Sequence, residues 1–88
     1  MYVINNGEHY IAIKEIIIDE NANVNNLTLE ELNAVLAVKE PIVGKTKIRY
    51  LGVVDNISLA KKYFRKPEKH LKLTEQMYGD GWQIIKKR

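Results

Sequence analysis

The ten residues 9–18, "HYIAIKEIII", constrain this chain more than any others. Five of them are isoleucine, whose branched Cβ suits a pleated strand and resists a helix. On a strand, Tyr10, Ala12, Lys14, Ile16 and Ile18 share one face, and Ile11, Ile13, Glu15 and Ile17 the other. Both faces are apolar, so the strand belongs in the middle of a sheet, with neighbours to pair with.

The rest of the chain supplies those neighbours. Tyr2, Val3 and Ile4 read as a short strand. Asn5-Asn6-Gly7-Glu8 then predicts a tight hairpin, with the Asn-Gly pair in a type I′ turn. Residues 45–55, "KTKIRYLGVVD", predict a third strand, with Ile48 and Tyr50 on one face and Leu51 and Val53 on the other. Gly52 marks a bulge or a close backbone approach. Residues 82–86 predict the last strand.

Helices fill the gaps. The polar residues 19–26 read as a loop. Residues 27–39, "LTLEELNAVLAVK", form the clearest helix. Thr28 and Glu31 fit a capping box, with Leu27 and Leu32 placed to staple it. Leu29, Leu32, Val35 and Leu36 make its apolar stripe, and Pro41 and Gly44 end it. Asn56 or Ser58 caps a second helix running to about Arg65, with Ile57, Ala60 and Phe64 on its inner face. Lys66 precedes a proline and is disfavoured in the helical region. Pro67 suits the first position of a third helix, which runs to Tyr78 and stops at Gly79. Leu73 and Met77 continue the inner face, and Asp80-Gly81 turns the chain. The expected fold is one α+β domain over residues 1–88. It has a small antiparallel sheet of about four strands with helices on one face, in the order ββα-β-αα-β.

Chemistry is sparse. The 88 residues contain no Cys, so disulfides and cysteine metal sites are excluded. The histidines, His9 and His70, stand in no metal-ligand spacing, and Ser58 lacks a nucleophile-elbow context. Glu30 and Glu31 are adjacent on a helix and point apart. No catalytic residue, metal or cofactor is expected. The longest uninterrupted isoleucine run, residues 16–18, is far too short to span a bilayer, and no signal peptide is visible. A cytoplasmic location is expected.

The formal charge of +3 conceals an asymmetry. Residues 1–44 carry two Lys against seven Asp or Glu, a net −5. Residues 45–88 carry twelve Lys or Arg against four Asp or Glu, a net +8. Two readings stand: the halves attract each other, or one of them is a binding face. Lys61, Arg65, Lys69 and Lys72 recur at i, i+4, i+8 and i+11, a stripe on an unbroken helix that Pro67 bends. Lys62 and Lys66 widen it, and Lys86, Lys87 and Arg88 add a basic tail. Such a ridge suits phosphate, because each contact releases counterions. The rings interleaved with these cations fall at core spacing. Tyr63 and Tyr78 are the exceptions, since a phenol buries its ring while its hydroxyl reaches solvent. The candidate partner-binding residues are therefore Lys61, Lys62, Arg65, Lys66, Lys69, Lys72, Tyr63 and Tyr78.

Within this region, Tyr63-Phe64-Arg65, a variable residue, Pro67-Glu68-Lys69-His70 and then Tyr78-Gly79 before Trp82 resemble a segment of small Firmicutes phage proteins. Some of these are anti-CRISPR inhibitors of type II Cas9. The resemblance covers about 20 of the 88 residues and implies a non-enzymatic inhibitor of a bacterial nuclease such as Cas9 with its guide RNA, active in the host cytoplasm. The basic balance departs from those inhibitors that imitate DNA through strong acidity. It leaves two modes open: the acidic residues Glu15, Asp19, Glu20, Glu30 and Glu31 occupying a basic groove, or the basic ridge gripping guide RNA, DNA or an acidic protein patch. The alternative is a small basic module that binds RNA or DNA directly. Either is compatible with a monomer or a homodimer and requires no membrane.

Overall fold

The structure, a computed structural model, describes residues 1–21 and 24–87. It is an α+β fold with a four-stranded antiparallel sheet and two α-helices. The strands are β1 (Tyr2–Asn5), β2 (Tyr10–Ile18), β3 (Thr46–Val54) and β4 (Gln83–Lys86), and the helices α1 (Leu29–Leu36) and α2 (Glu68–Tyr78). The order across the sheet is β3-β2-β1-β4, so the isoleucine-rich β2 is an inner strand, as its two apolar faces require. The chain forms two compact units. One comprises Met1–Ile13 and Leu51–Arg88, the other Lys14–Tyr50.

The first unit is built on β1. Asn5 pairs with Tyr10 at the β1–β2 hairpin, and Asn6 N–H donates to the His9 carbonyl. The turn is not type I′, because only Gly7 has positive φ, at 96°. The Asn6 side chain takes over instead, accepting from the N–H groups of Glu8 and His9 at 3.0 and 2.7 Å. Such an Asx turn lets Asn6 stay in ordinary backbone space. Along its other edge β1 pairs antiparallel with β4, Val3 opposite Ile85 and Ile4 opposite Ile84. Ile4, Ile11, Leu51 and Trp82 form the buried core, with Leu71 and Tyr78 of α2 packed against it. Burial of each such aliphatic side chain stabilises by roughly 1.5–3 kcal/mol.

The expected helix over residues 57–65 does not form. Asn56 accepts from Ser58 N–H, but it caps only a single 3₁₀ turn, Ile57–Leu59. Beyond it the chain extends. Lys61 N–H donates to the Ile11 carbonyl, and Tyr63 and Tyr2 exchange both backbone bonds at 2.8 and 2.9 Å. Strand-type partners thus satisfy the backbone groups that a helix would have satisfied internally. Consequently Leu59 and Phe64 are exposed, Phe64 by 90%. Pro67 is buried at the N-cap of α2, one position earlier than expected. Gly79, at φ 88°, ends the helix as expected. Leu73 and Met77 point outward rather than into the core. The inward positions are Leu71, Thr74 and Tyr78, and the fully buried Thr74 hydroxyl donates to the His70 carbonyl at 2.7 Å. That back-bond lets a polar side chain sit inside.

In the second unit the capping box is present: Glu31 N–H donates to Thr28 Oγ1, and Thr28 N–H to Glu31 Oε1. α1 is shorter than expected and its inner face is rotated. Ala34 is the buried residue, in a cluster with Ile18 and Ile48 that Leu27, Val35 and Val38 join. Leu29 and Leu36, expected in the stripe, are 74% and 72% exposed. Of the loop 19–26, Val24–Asn26 forms a 3₁₀ turn, and residues 22 and 23 lie outside the described residues.

Candidate functional site

The basic residues of the first unit do not form a helical stripe, because only Lys69 and Lys72 lie on α2. Lys61 is exposed on the extended segment, its ammonium 5.9 Å from the centroid of the Tyr63 ring, a cation–π distance. Lys62 is drawn back: its ammonium donates to the carbonyls of Ile57 at 2.7 Å and Ser58 at 3.1 Å. It therefore closes the 3₁₀ turn and leaves the candidate surface. Arg65 and Lys66 stand exposed on the bend that leads into α2, and Lys69 and Lys72 are exposed on the helix. None of these four makes an ion pair among the described residues.

The two tyrosines are locks. The Tyr63 hydroxyl lies 2.7 Å from His70 Nδ1, and the rings meet edge to face with centroids 5.3 Å apart. Burial pushes the Tyr63 phenol up to about 12, so at neutral pH the hydroxyl keeps its proton; the His70 tautomer sets which of the two groups donates. The Tyr78 hydroxyl donates to the Leu51 carbonyl at 2.6 Å, and its ring leans on Trp82. Neither hydroxyl faces solvent as the sequence led one to expect.

Phe64 is exposed beside Arg65 in the chain, and Lys86 shares a depression with Lys66; sequence reasoning missed both. Helical spacing assigned Phe64 to the core, and Lys86 was only part of a tail. A shallow depression of about 510 Å³ is lined by Tyr2, Lys66, Glu68, Ile84 and Lys86. Tyr2 pairs with Lys86 and Ile4 with Ile84, so the three strand residues share one face of the β1–β4 ribbon. The period-two phase of β4 against β1 is the signal that would have placed Lys86 beside Tyr2 and Ile84.

The acidic alternative looks different. In the second unit Glu30 bonds Lys14 at 2.8 Å, Glu15 lies 3.5 Å from Arg49, and Asp19 accepts from Asn21 N–H. Glu31 serves the capping box. The hydrogen bond from the Thr28 backbone, then that from its hydroxyl, holds the Glu31 carboxyl below its ordinary value. Four of the five carboxylates thus have internal partners. Tyr50 in the same unit has its phenol raised by burial and then by Glu30.

Among the described residues no group of three or more His, Cys, Asp or Glu is placed to hold a metal ion. No helix among them is long and apolar enough to cross a membrane. Comparison with protein-family models, curated proteins and solved structures finds no match to this chain.

Proposed function

We propose that this chain is a small non-enzymatic binding protein that inhibits a bacterial defence nuclease, and that its partner is Cas9 carrying guide RNA. One observation carries the reading. Within residues 63–82, Tyr63, Pro67, His70, Tyr78, Gly79 and Trp82 hold the module together, while Phe64, Arg65, Lys66 and Lys69 turn outward. A nearly naked ring beside unpaired cations suits an anionic surface with stackable bases, and guide RNA is the polyanion such a nuclease exposes. By sequence, the first unit holds nine Lys or Arg against five Asp or Glu, a net +4, and the second five against six, a net −1. The basic mode is therefore favoured over the acidic one.

The test is DNA cleavage by Cas9–guide RNA with increasing amounts of the protein. Inhibition is expected, relieved when Phe64→Ala is combined with Arg65→Glu and Lys69→Glu. Undiminished cleavage at large excess rules the nuclease out. The exposure of Phe64 also favours a second reading, direct binding of single-stranded RNA or DNA. A gel shift that weakens steeply with salt supports it, and no retardation at low salt removes it.

A further inference from the structure

The outer edge of β4 has pairing capacity that no backbone group among the described residues uses. β4 has a hydrogen-bonded neighbour, β1, on one side only. Met1 and Lys87 exchange both backbone bonds, Met1 N to the Lys87 carbonyl at 3.0 Å and Lys87 N–H to the Met1 carbonyl at 2.6 Å. In an antiparallel ladder, bonded pairs recur at every second position. Val3 opposite Ile85 and Asn5 opposite Gln83 fall on that beat. Ile84 and Lys86 fall off it and turn their N–H and C=O groups away from β1. The reciprocal Tyr2–Tyr63 bonds confirm the phase, since Tyr2, opposite Lys86, spends its backbone on the side away from β4. Among the described residues no backbone group meets Ile84 or Lys86 on the outer side.

Such an edge invites another strand, and its charges choose which one. Lys86 lies on this edge, and Lys66 lines the same depression on the face with Tyr2 and Ile84, where Glu68 is the one carboxylate among the lining residues. Lys87, the next residue, points to the opposite face. A second copy is a poor occupant. Two-fold pairing about Ile85 would set each Lys86 beside the other copy and bring together two units of net +4. We infer that the β4 edge receives an extended acidic segment of a partner protein by strand addition. The segment's backbone pairs with Ile84 and Lys86, and its alternate carboxylates meet Lys66 and Lys86 on one face and Lys87 on the other. The inference goes beyond the proposed function and does not depend on what Phe64 and Arg65 touch.

The probe is a short fluorescent peptide of alternating glutamate and valine, with a lysine–valine peptide as its opposite. In amide hydrogen exchange of the free chain, Ile84 and Lys86 should exchange quickly and Ile85 slowly. The acidic peptide should slow both of the former. Lys86→Pro removes the outward donor at an edge position that tolerates proline, and Lys86→Ala removes the charge alone. The proline variant should bind about tenfold more weakly than the alanine variant. Phe64→Ala should leave peptide affinity unchanged, which separates this site from the proposed one. Unslowed amides overturn the inference, as does equal affinity of a folded Lys86→Pro and Lys86→Ala, or equal binding of the lysine peptide. Slow Ile84 and Lys86 amides in a dimer seen by light scattering overturn it too, since a second copy then holds the edge. Should Lys86→Pro fail to fold, exchange on the unmodified chain decides alone.

Discussion

The two units solve the same problem in different ways. The first, Met1–Ile13 with Leu51–Arg88, ties itself together with rings: Trp82 in the core, Tyr63 on His70, Tyr78 on the Leu51 carbonyl. Its cations among the described residues, Lys62 apart, are left to the surface. The second, Lys14–Tyr50, ties itself with charge and capping: Lys14 on Glu30, Arg49 near Glu15, Thr28 with Glu31. Its buried cluster is small, and Leu29 and Leu36 face out. Rings that find partners indoors free the charged side chains for a ligand, whereas charges that find partners on their own unit are spent on folding. Exposed leucine therefore does not tell the units apart, since each has two: Leu59 and Leu73 in the first, Leu29 and Leu36 in the second.

The comparison is open to direct attack. Its largest expected effect is at Trp82. Trp82→Ala should cost about 3–5 kcal/mol in denaturant unfolding, whereas Leu36→Ala should stay within about 0.5 kcal/mol. A large cost at Leu36 would mean that the second unit buries more than its exposure indicates.

Gly79→Ala comes next. A Cβ there meets nothing within 4 Å, so its expected cost, above about 1 kcal/mol, is one of backbone conformation at φ 88°. Gly79→Asn should recover none of it, because ψ −168° puts the position outside the left-handed helical region that Asn tolerates.

Thr28→Ala should remove about 1 kcal/mol by breaking the capping box. Its partner adds a pH signature. The Glu31 carboxyl is lowered in the folded chain, so its contribution is present above the unfolded value and is lost as pH falls through the depressed one. Acid titration of stability below about pH 4 should therefore be shallower in Glu31→Gln than in the unmodified chain.

Tyr63→Phe should cost about 1 kcal/mol for the bond to His70. Here the sign is reversed. A phenol raised from 10.0 to about 12 contributes stability that is complete below pH 10 and fades as pH rises toward 12. The alkaline loss should be smaller in Tyr63→Phe. The smallest effect belongs to Arg65→Glu, expected within about 0.5 kcal/mol of the unmodified chain while binding is lost. A marked loss of stability would show that Arg65 belongs to the fold.

Much local chemistry was legible where the residues concerned are neighbours in sequence, although the Asn6-Gly7 turn took an Asx form in place of type I′. The Thr28–Glu31 box, the stop at Gly79, the inner-strand character of β2 and the four-stranded antiparallel sheet all follow from capping geometry, conformational freedom and periodicity. The candidate site was legible in part. Arg65, Lys66, Lys69 and Lys72 are exposed as expected, but Lys62 bonds to carbonyls and both tyrosine hydroxyls face inward.

What the amino-acid order determined, then, is every feature that a few adjacent residues can enforce: a cap, a turn, a two-sided apolar strand, an excess of positive charge after residue 45. Only the tertiary structure decided residues 57–66. Their spacing satisfies a helix, but Ile11 and Tyr2, about fifty and sixty residues away, offer the backbone better partners: Lys61 N–H takes the Ile11 carbonyl, and Tyr63 exchanges bonds with Tyr2. That competition between local and distant hydrogen bonds turned Phe64 from core to surface and set Lys86 across a depression from Lys66. No window of the sequence contains both sides of it.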